Sequence, residues 1–233
     1  MRHITSAVAT IAAIAALASC SNDDPPAATG TTPATSAPDS GSGYTMLPDQ
    51  APTTLEPGRW AVTPADKPGA PLAVFDVPEK FEGGGPWLLT QGGYIGYWTV
   101  DRVYADPCEA AGSTRVGPKV EDLATALVAQ KRTTTTKPIP VSIDGHDGLY
   151  LELTASADID FDNCTPDAGL YVWDTYGVGG VRGVTAQTVD RYWVLNVFGQ
   201  RVVLLTSVPP DADNETMEQL TSMVEAATFR EAD

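Results

Sequence analysis

The chain of 233 residues carries 30 acidic against 14 basic side chains, a formal charge of −16 at neutral pH, and is 42% hydrophobic. Length and hydrophobic content allow one substantial packed domain. A surface of this sign is repelled by nucleic acid and by anionic headgroups, so neither is an expected partner, and the acidic excess favours solubility outside the cell.

Residues 1–19 open with Arg2 and His3 and continue as an Ala/Ile/Val run from Ile4 to Ala18, broken by Thr5, Ser6 and Thr10. At roughly fifteen residues the run is short for a membrane-spanning helix, which needs about 20, and it reads as a signal peptide. It closes on Leu17-Ala18-Ser19-Cys20. This stretch resembles the lipobox of bacterial lipoproteins. The resemblance implies cleavage before Cys20, a diacylglyceryl group on its sulfur, and a mature chain held on the extracytoplasmic face of the cell membrane by that lipid without spanning it. Two acyl chains make such an anchor close to permanent, because each buried methylene contributes about 0.8 kcal/mol. The alternative is an ordinary secretory signal with an accidental cysteine.

From Ser21 to Glu56, Pro, Ala, Thr, Ser, Gly and Asp dominate, and Lys and Arg are absent. Such a composition cannot bury enough apolar surface to offset chain entropy. Residues 20–56 therefore read as the lipidated cysteine plus a disordered spacer, stiffened locally by Pro25, Pro26, Pro33, Pro38, Pro48 and Pro52. A flexible coil of this length spans on the order of 30 Å, and full polyproline extension gives about 110 Å. Spacers rich in Thr and Pro can also carry O-linked sugars. One globular domain, residues 57–233, is expected to follow.

Within that domain the first predicted strands are Arg59–Thr63, Leu72–Val77 and Ile95–Tyr104. A helix is predicted over Pro118–Lys131, with proline in its first turn, Glu121 and Asp122 near the positive end of its dipole, and Lys131 and Arg132 at its finish. Its apolar stripe is Val120, Leu123, Ala124, Leu127 and Val128. Val141 and Ile143 then alternate into a turn over residues 144–148, and Leu149, Leu151 and Leu153 alternate against Tyr150, Glu152 and Thr154 as the return arm of a hairpin. A further strand is expected at Gly169–Tyr176. A second hairpin, Tyr192–Val208, is predicted to turn at Gly199-Gln200 with glycine first in a type II′ turn, and its arms are so uniformly apolar that they belong at the centre of the sheet, covered on both faces. Beyond Pro209-Pro210, Asp211 or Asp213 caps a helix reaching about Ala227, with Met217, Leu220, Val224 and Ala227 inward and Phe229 tucked past its end. The expected class is α+β, a mostly antiparallel sheet with one mid-chain helix and one C-terminal helix packed on it.

The order of a Val77-Pro78-x-x-Phe81 element, a helix, a central antiparallel sheet, and a strand leading through prolines into a helix ending Ala227-Thr228-Phe229 resembles the small lipoproteins of actinobacterial envelopes. Some of these share a fold similar to the photosystem accessory protein PsbP and the nuclear-transport factor Mog1. Abundant Ala, Thr, Val and Gly, with Arg preferred over Lys, suits the GC-rich genomes of that group. The resemblance covers Leu72 to Phe229 in outline and implies a binding or accessory module; it carries over no functional residue.

With Cys20 assigned to lipid, Cys108 and Cys164 remain in an oxidising compartment and are expected to pair, each from a loop rich in Pro and Asp. His146 is the only histidine of residues 57–233, which excludes a multi-histidine zinc site. No cofactor, metal or catalytic residue is expected. Asp147 beside His146 suggests a triad, but no G-x-S-x-G elbow accompanies it, and a solvent-exposed turn histidine is the better reading. Asp158, Asp160 and Asp162 have the opening rhythm of a calcium loop, yet Asn163 replaces the glycine at the sixth position and Gly169 the bidentate glutamate at the twelfth. An acidic solvated loop and a weak calcium loop both remain as readings.

The aromatic residues Trp87, Tyr94, Tyr97 and Trp98 flank glycines at 83–85, 92, 93 and 96, an arrangement that could present rings to a sugar or another envelope ligand. The alternative is that the rings fill the core and the glycines mark bulges and turns. The functional expectation is a membrane-anchored, non-catalytic envelope module that binds a ligand or protein partner. Its rival is an extracellular hydrolase using an Asp/Glu pair drawn from Glu152, Asp101 and the Asp158–Asp162 run.

Overall fold

The computed structural model describes residues 43–64, 67, 69–109, 112–164, 169–174, 181–184 and 188–232. In chain order the elements are β1 (Thr45–Met46), β2 (Thr53–Thr54), β3 (Gly58–Val62), β4 (Leu72–Val77), β5 (Glu82–Gly84), β6 (Trp87–Thr90), β7 (Gly93–Trp98), β8 (Arg102–Tyr104), β9 (Ser113–Arg115) and α1 (Val120–Val128). They continue with β10 (Thr133–Thr135), β11 (Ile139–Ile143), β12 (His146–Ala155), β13 (Leu170–Asp174), β14 (Val181–Val184), β15 (Val189–Val197), β16 (Gln200–Val208), α2 (Asn214–Glu225) and β17 (Thr228–Arg230). Among the described residues the strands form three sheets, and the class is α+β with antiparallel pairing throughout except for the parallel β1–β3 contact. Neither described helix is long and apolar enough to cross a membrane.

The central sheet runs β10-β12-β15-β16-β7-β6-β5-β2, with β11 also paired to β12. Side chains on a strand alternate between faces, and here both faces are buried. Trp193, Leu195, Val197, Val202, Leu204 and Val208 join one core with the sheet β1-β3-β4-β17 and α2. Tyr192, Val194, Val203 and Leu205 join a second core with α1 and the sheet β14-β13-β8-β9. The continuous apolar sequence of β15 and β16 is the signature of strands covered on both sides, as expected.

Turn chemistry corrects two details of the sequence reading. The first hairpin closes on Asp144-Gly145 alone, both at positive φ, so His146 and Asp147 belong to β12 and Ile143 pairs with His146. The second closes on Phe198-Gly199, φ 49° and 79°, a type I′ turn with glycine in the second central position; Val197 then faces Gln200 and Asn196 faces Arg201. Residues 95–104 form two strands in different sheets, with Val100 buried in the second core between them.

The β10–β11 edge of the central sheet shows how pairing is limited. In a two-residue hairpin the closing pair exchanges both backbone hydrogen bonds, and such pairs recur at alternate positions. Ile143, Val141 and Ile139 therefore turn their backbone groups toward β12, while Pro140 and Ser142 turn theirs outward. Of the two outward amide donors of β11, at 140 and 142, the one at Pro140 is thus missing, which blunts the edge against strand addition.

Residues 43–56, expected to be part of a disordered spacer, pack on the domain. Leu47 and Leu55 are buried in the first core, Leu47 N donates to Ala61 O at 2.9 Å, and Leu55 N donates to Phe81 O at 2.8 Å. The reason lies in β5: a Cβ at Gly83 would sit 2.7 Å from the Leu47 and Leu55 side chains, and one at Gly84 would collide with Gln50 O. Two glycines open the slot that the N-terminal segment fills.

Both helices form where predicted but are shorter. α1 starts after Pro118, with Asp122 Oδ2 accepting from Lys119 N at 3.0 Å. Lys131 and Arg132 lie past its end, where both approach the buried Asp106. α2 is capped by Asp213, which accepts from Thr216 N at 2.6 Å. Its buried residues are Leu220, Met223 and Val224, with Met217 half-buried. Phe229 is buried, and it lies in β17, which pairs with β4.

Candidate functional site

Cys20 lies outside the described residues. Cys108 and Cys164 form a disulfide. Beside it, Asp106 accepts from Cys108 N at 3.1 Å and from Arg132 Nε at 3.0 Å, so a buried carboxylate fixes the loop that carries the cystine. In the neighbouring acidic loop, Phe161–Asn163 is a single 3-10 turn and Asn163 Nδ2 donates to Asp160 Oδ2 at 2.7 Å. Among the described residues no three His, Cys, Asp or Glu side chains gather as a metal-ligand group.

The four candidate aromatics do not share a surface. Tyr94 and Trp98 project with Trp87 into the second core, edge-on to Trp87 at centroid distances of 5.1 and 4.7 Å. Tyr97 points the other way, is buried in the first core, and donates its hydroxyl to Pro71 O at 3.0 Å. Gly83, Gly84, Gly93 and Gly96 belong to paired strands, and Gly85 and Gly92 lie in the short turns that join them. His146 is not a free turn residue: its half-buried ring meets Phe198 at 4.7 Å and Phe229 at 5.4 Å.

The acids proposed for hydrolysis are separated as well. Asp101 stands 4.0 Å from Arg201, whose guanidinium donates to the carbonyls of Gly117, Lys119 and Val100 around the start of α1. Glu152 projects from the opposite face of the central sheet, toward α2.

That face holds the most organised constellation in the structure. Tyr150 and Glu152 on β12 stand directly across from Trp193 and Arg191 on β15. Leu151 and Leu153 occupy the other face, so strand alternation alone sends Tyr150 and Glu152 to the α2 side. Tyr150 donates its hydroxyl to Glu152 Oε1 at 2.6 Å, and Arg191 Nε donates to the same oxygen at 3.1 Å. Arg191 reaches on to α2, with Nη1 on Thr221 Oγ1 at 3.0 Å and Nη2 on Met217 Sδ at 3.5 Å. Burial, reinforced by the hydrogen bond to Glu152, pushes the Tyr150 phenol well above its ordinary value and keeps it a neutral donor.

These groups line a groove of about 650 Å³ between α2 and the sheet, walled also by Ile139, Val141, Glu218 and Glu225. Ile139 is half exposed at its rim. A cleft of about 720 Å³ at the N-terminal end of α2 contains Lys80, Glu82, Asp211 and Asp213. There Asp213 is committed to the helix cap, whose hydrogen bonds from Thr216 hold its carboxyl below the usual range. Among the described residues no hydrogen bond or ion pair ties Lys80, Glu82 and Asp211 of that cleft together.

Sequence reasoning placed Tyr150 and Glu152 on one strand face but did not connect them with Arg191. The signal was present: a basic residue on one apolar central strand and an acidic residue on another form a pair once the register sets them opposite. Scanned against protein-family models the chain matches none, and no curated protein matches it in sequence.

Proposed function

We propose that the chain is a lipid-anchored module of the extracytoplasmic membrane face that binds an envelope ligand or protein partner without transforming it, and that the groove between α2 and the central sheet is its binding site. The observation that carries this reading is the Tyr150–Glu152–Arg191 array set beside Ile139 and Val141. Apolar walls with a few fixed polar groups are the usual composition of a binding site. Tyr150, Glu152 and Arg191 hold one another in place, so this part of the surface is organised before anything docks. The anchor rests on the lipobox-like Leu17–Cys20 stretch. The resemblance to actinobacterial envelope lipoproteins with PsbP- or Mog1-like domains agrees with a binding role.

A photocrosslinking amino acid at Ile139 in the full-length chain, expressed in its own membrane, tests the reading against the same probe at Asp76, an exposed position that does not line the groove. Discrete adducts from Ile139 and none from Asp76 are expected. No adduct, or the same adducts from both positions, would overturn the binding site. Cys20→Ser is expected to move the protein from the membrane to the soluble fraction, and retention of the variant would overturn the anchor.

A further inference from the structure

We infer that the groove receives a basic segment of a protein partner, with a Lys or Arg side chain held by Glu152, Glu218 and Glu225 and an apolar neighbour seated against Ile139 and Val141. The inference rests on the groove being the binding site and adds the chemistry of what enters it. Its polar inventory is one-sided. The one cation among the lining residues, Arg191, is committed to Glu152, Thr221 and Met217. Acceptors remain in excess: both hydrogen bonds to Glu152 fall on Oε1, leaving Oε2 without a partner among the described residues. Glu218 and Glu225 lie one above the other along the exposed side of α2, and neither has an ion-pair partner among the described residues. A ligand that satisfies such a lining brings donors and positive charge.

The apolar part fixes the rest. Ile139 and Val141 on β11 form an apolar stretch of the sheet wall, across from Glu218 and Glu225 on α2, so a bare cation would leave it uncovered. A side chain with a long methylene stem and a charged head, flanked by an aliphatic residue, covers both. The outward Pro140 hinders a strand-addition mode at this edge, so the segment lies in the groove between sheet and helix. The overall charge of −16 steers a basic partner toward the surface.

The test uses the purified full chain in a neutral detergent and the peptide acetyl-Gly-Leu-Lys-Lys-Leu-Gly-amide carrying an uncharged fluorophore, read by fluorescence polarisation. An analogue with both lysines replaced by glutamate is the control. The lysine peptide is expected to bind with an affinity that falls as salt is raised, and the glutamate peptide is expected not to bind. The double variant Glu218→Gln/Glu225→Gln should weaken binding by about fivefold, the range for two partly exposed charge pairs. Glu79→Gln/Glu109→Gln, at exposed acids outside the groove, should leave binding unchanged. Equal binding of the glutamate peptide, an equal loss from the Glu79/Glu109 variant, or no binding of the lysine peptide would each overturn the inference. If Ile139 still gives discrete photocrosslinks in cells after such a result, the cationic inference falls and the groove remains a binding site; if those are absent too, both readings fall.

Discussion

Trp87 stands directly opposite Gly96 in the β6–β7 pair, and its ring fills the space that a side chain at position 96 would need. A Cβ there would lie 3.0 Å from Trp87 Cζ3 and 2.7 Å from Trp98 Nε1. The glycine is thus part of an aromatic packing unit: Trp87 covers a bare stretch of β7 while meeting Tyr94 and Trp98 edge-on.

Gly96→Ala is expected to destabilise the fold by about 1–3 kcal/mol, the cost of forcing atoms into a filled core. Urea denaturation followed by tryptophan fluorescence reads this directly. An unchanged midpoint would mean the indoles can withdraw freely.

Burial pushes the Tyr97 phenol far above its ordinary value of about 10. The folded group ionises at higher pH than the unfolded one, so its contribution is complete below about pH 10 and is lost as pH rises further. Tyr97→Phe removes the hydrogen bond to the buried Pro71 carbonyl and should cost about 1–3 kcal/mol at neutral pH. The same variant should show a shallower loss of stability between about pH 10 and 12. Parallel alkaline limbs for variant and wild type would argue against this coupling.

The Cys108–Cys164 bridge closes a loop with a sequence separation of 56. The chain-entropy relation gives about 4 kcal/mol for a loop of that size. Reduction, or the double variant Cys108→Ser/Cys164→Ser, should therefore lower the thermal midpoint markedly. Non-reducing peptide mapping should recover one linked peptide, whereas two alkylatable thiols at these positions would contradict the staple.

Restoring the outward donor on the sheet edge should change self-association. Pro140→Val is expected to leave the fold intact and to produce concentration-dependent oligomers, visible by light scattering. A variant that stays as monodisperse as wild type would show that something other than Pro140 protects this edge.

The elements were legible wherever local periodicity carried them. The α1 stripe, save for Val128, which is exposed, the apolar arms of β15 and β16, and the Asp213 cap each rest on residues within one or two turns or strands of each other. Long-range complements were less readable. Leu47 and Leu55 look like stray apolar residues in a polar spacer until Gly83 and Gly84, some thirty residues downstream, are seen to make room for them. For the rings at 87, 94, 97 and 98 the glycine-rich sequence allows both a presented cluster and core filling. Strand pairing sent Tyr97 to one core and the other three to the second. The groove depended on register, since only the β12–β15 alignment sets Glu152 against Arg191.

Because β15 and β16 contribute alternate residues to both cores, neither half of the molecule owns a complete interior. Loosening either half strips one face of strands that the other half needs. Melting should therefore proceed as a single cooperative transition, with the amides of β15 and β16 the last to exchange with solvent.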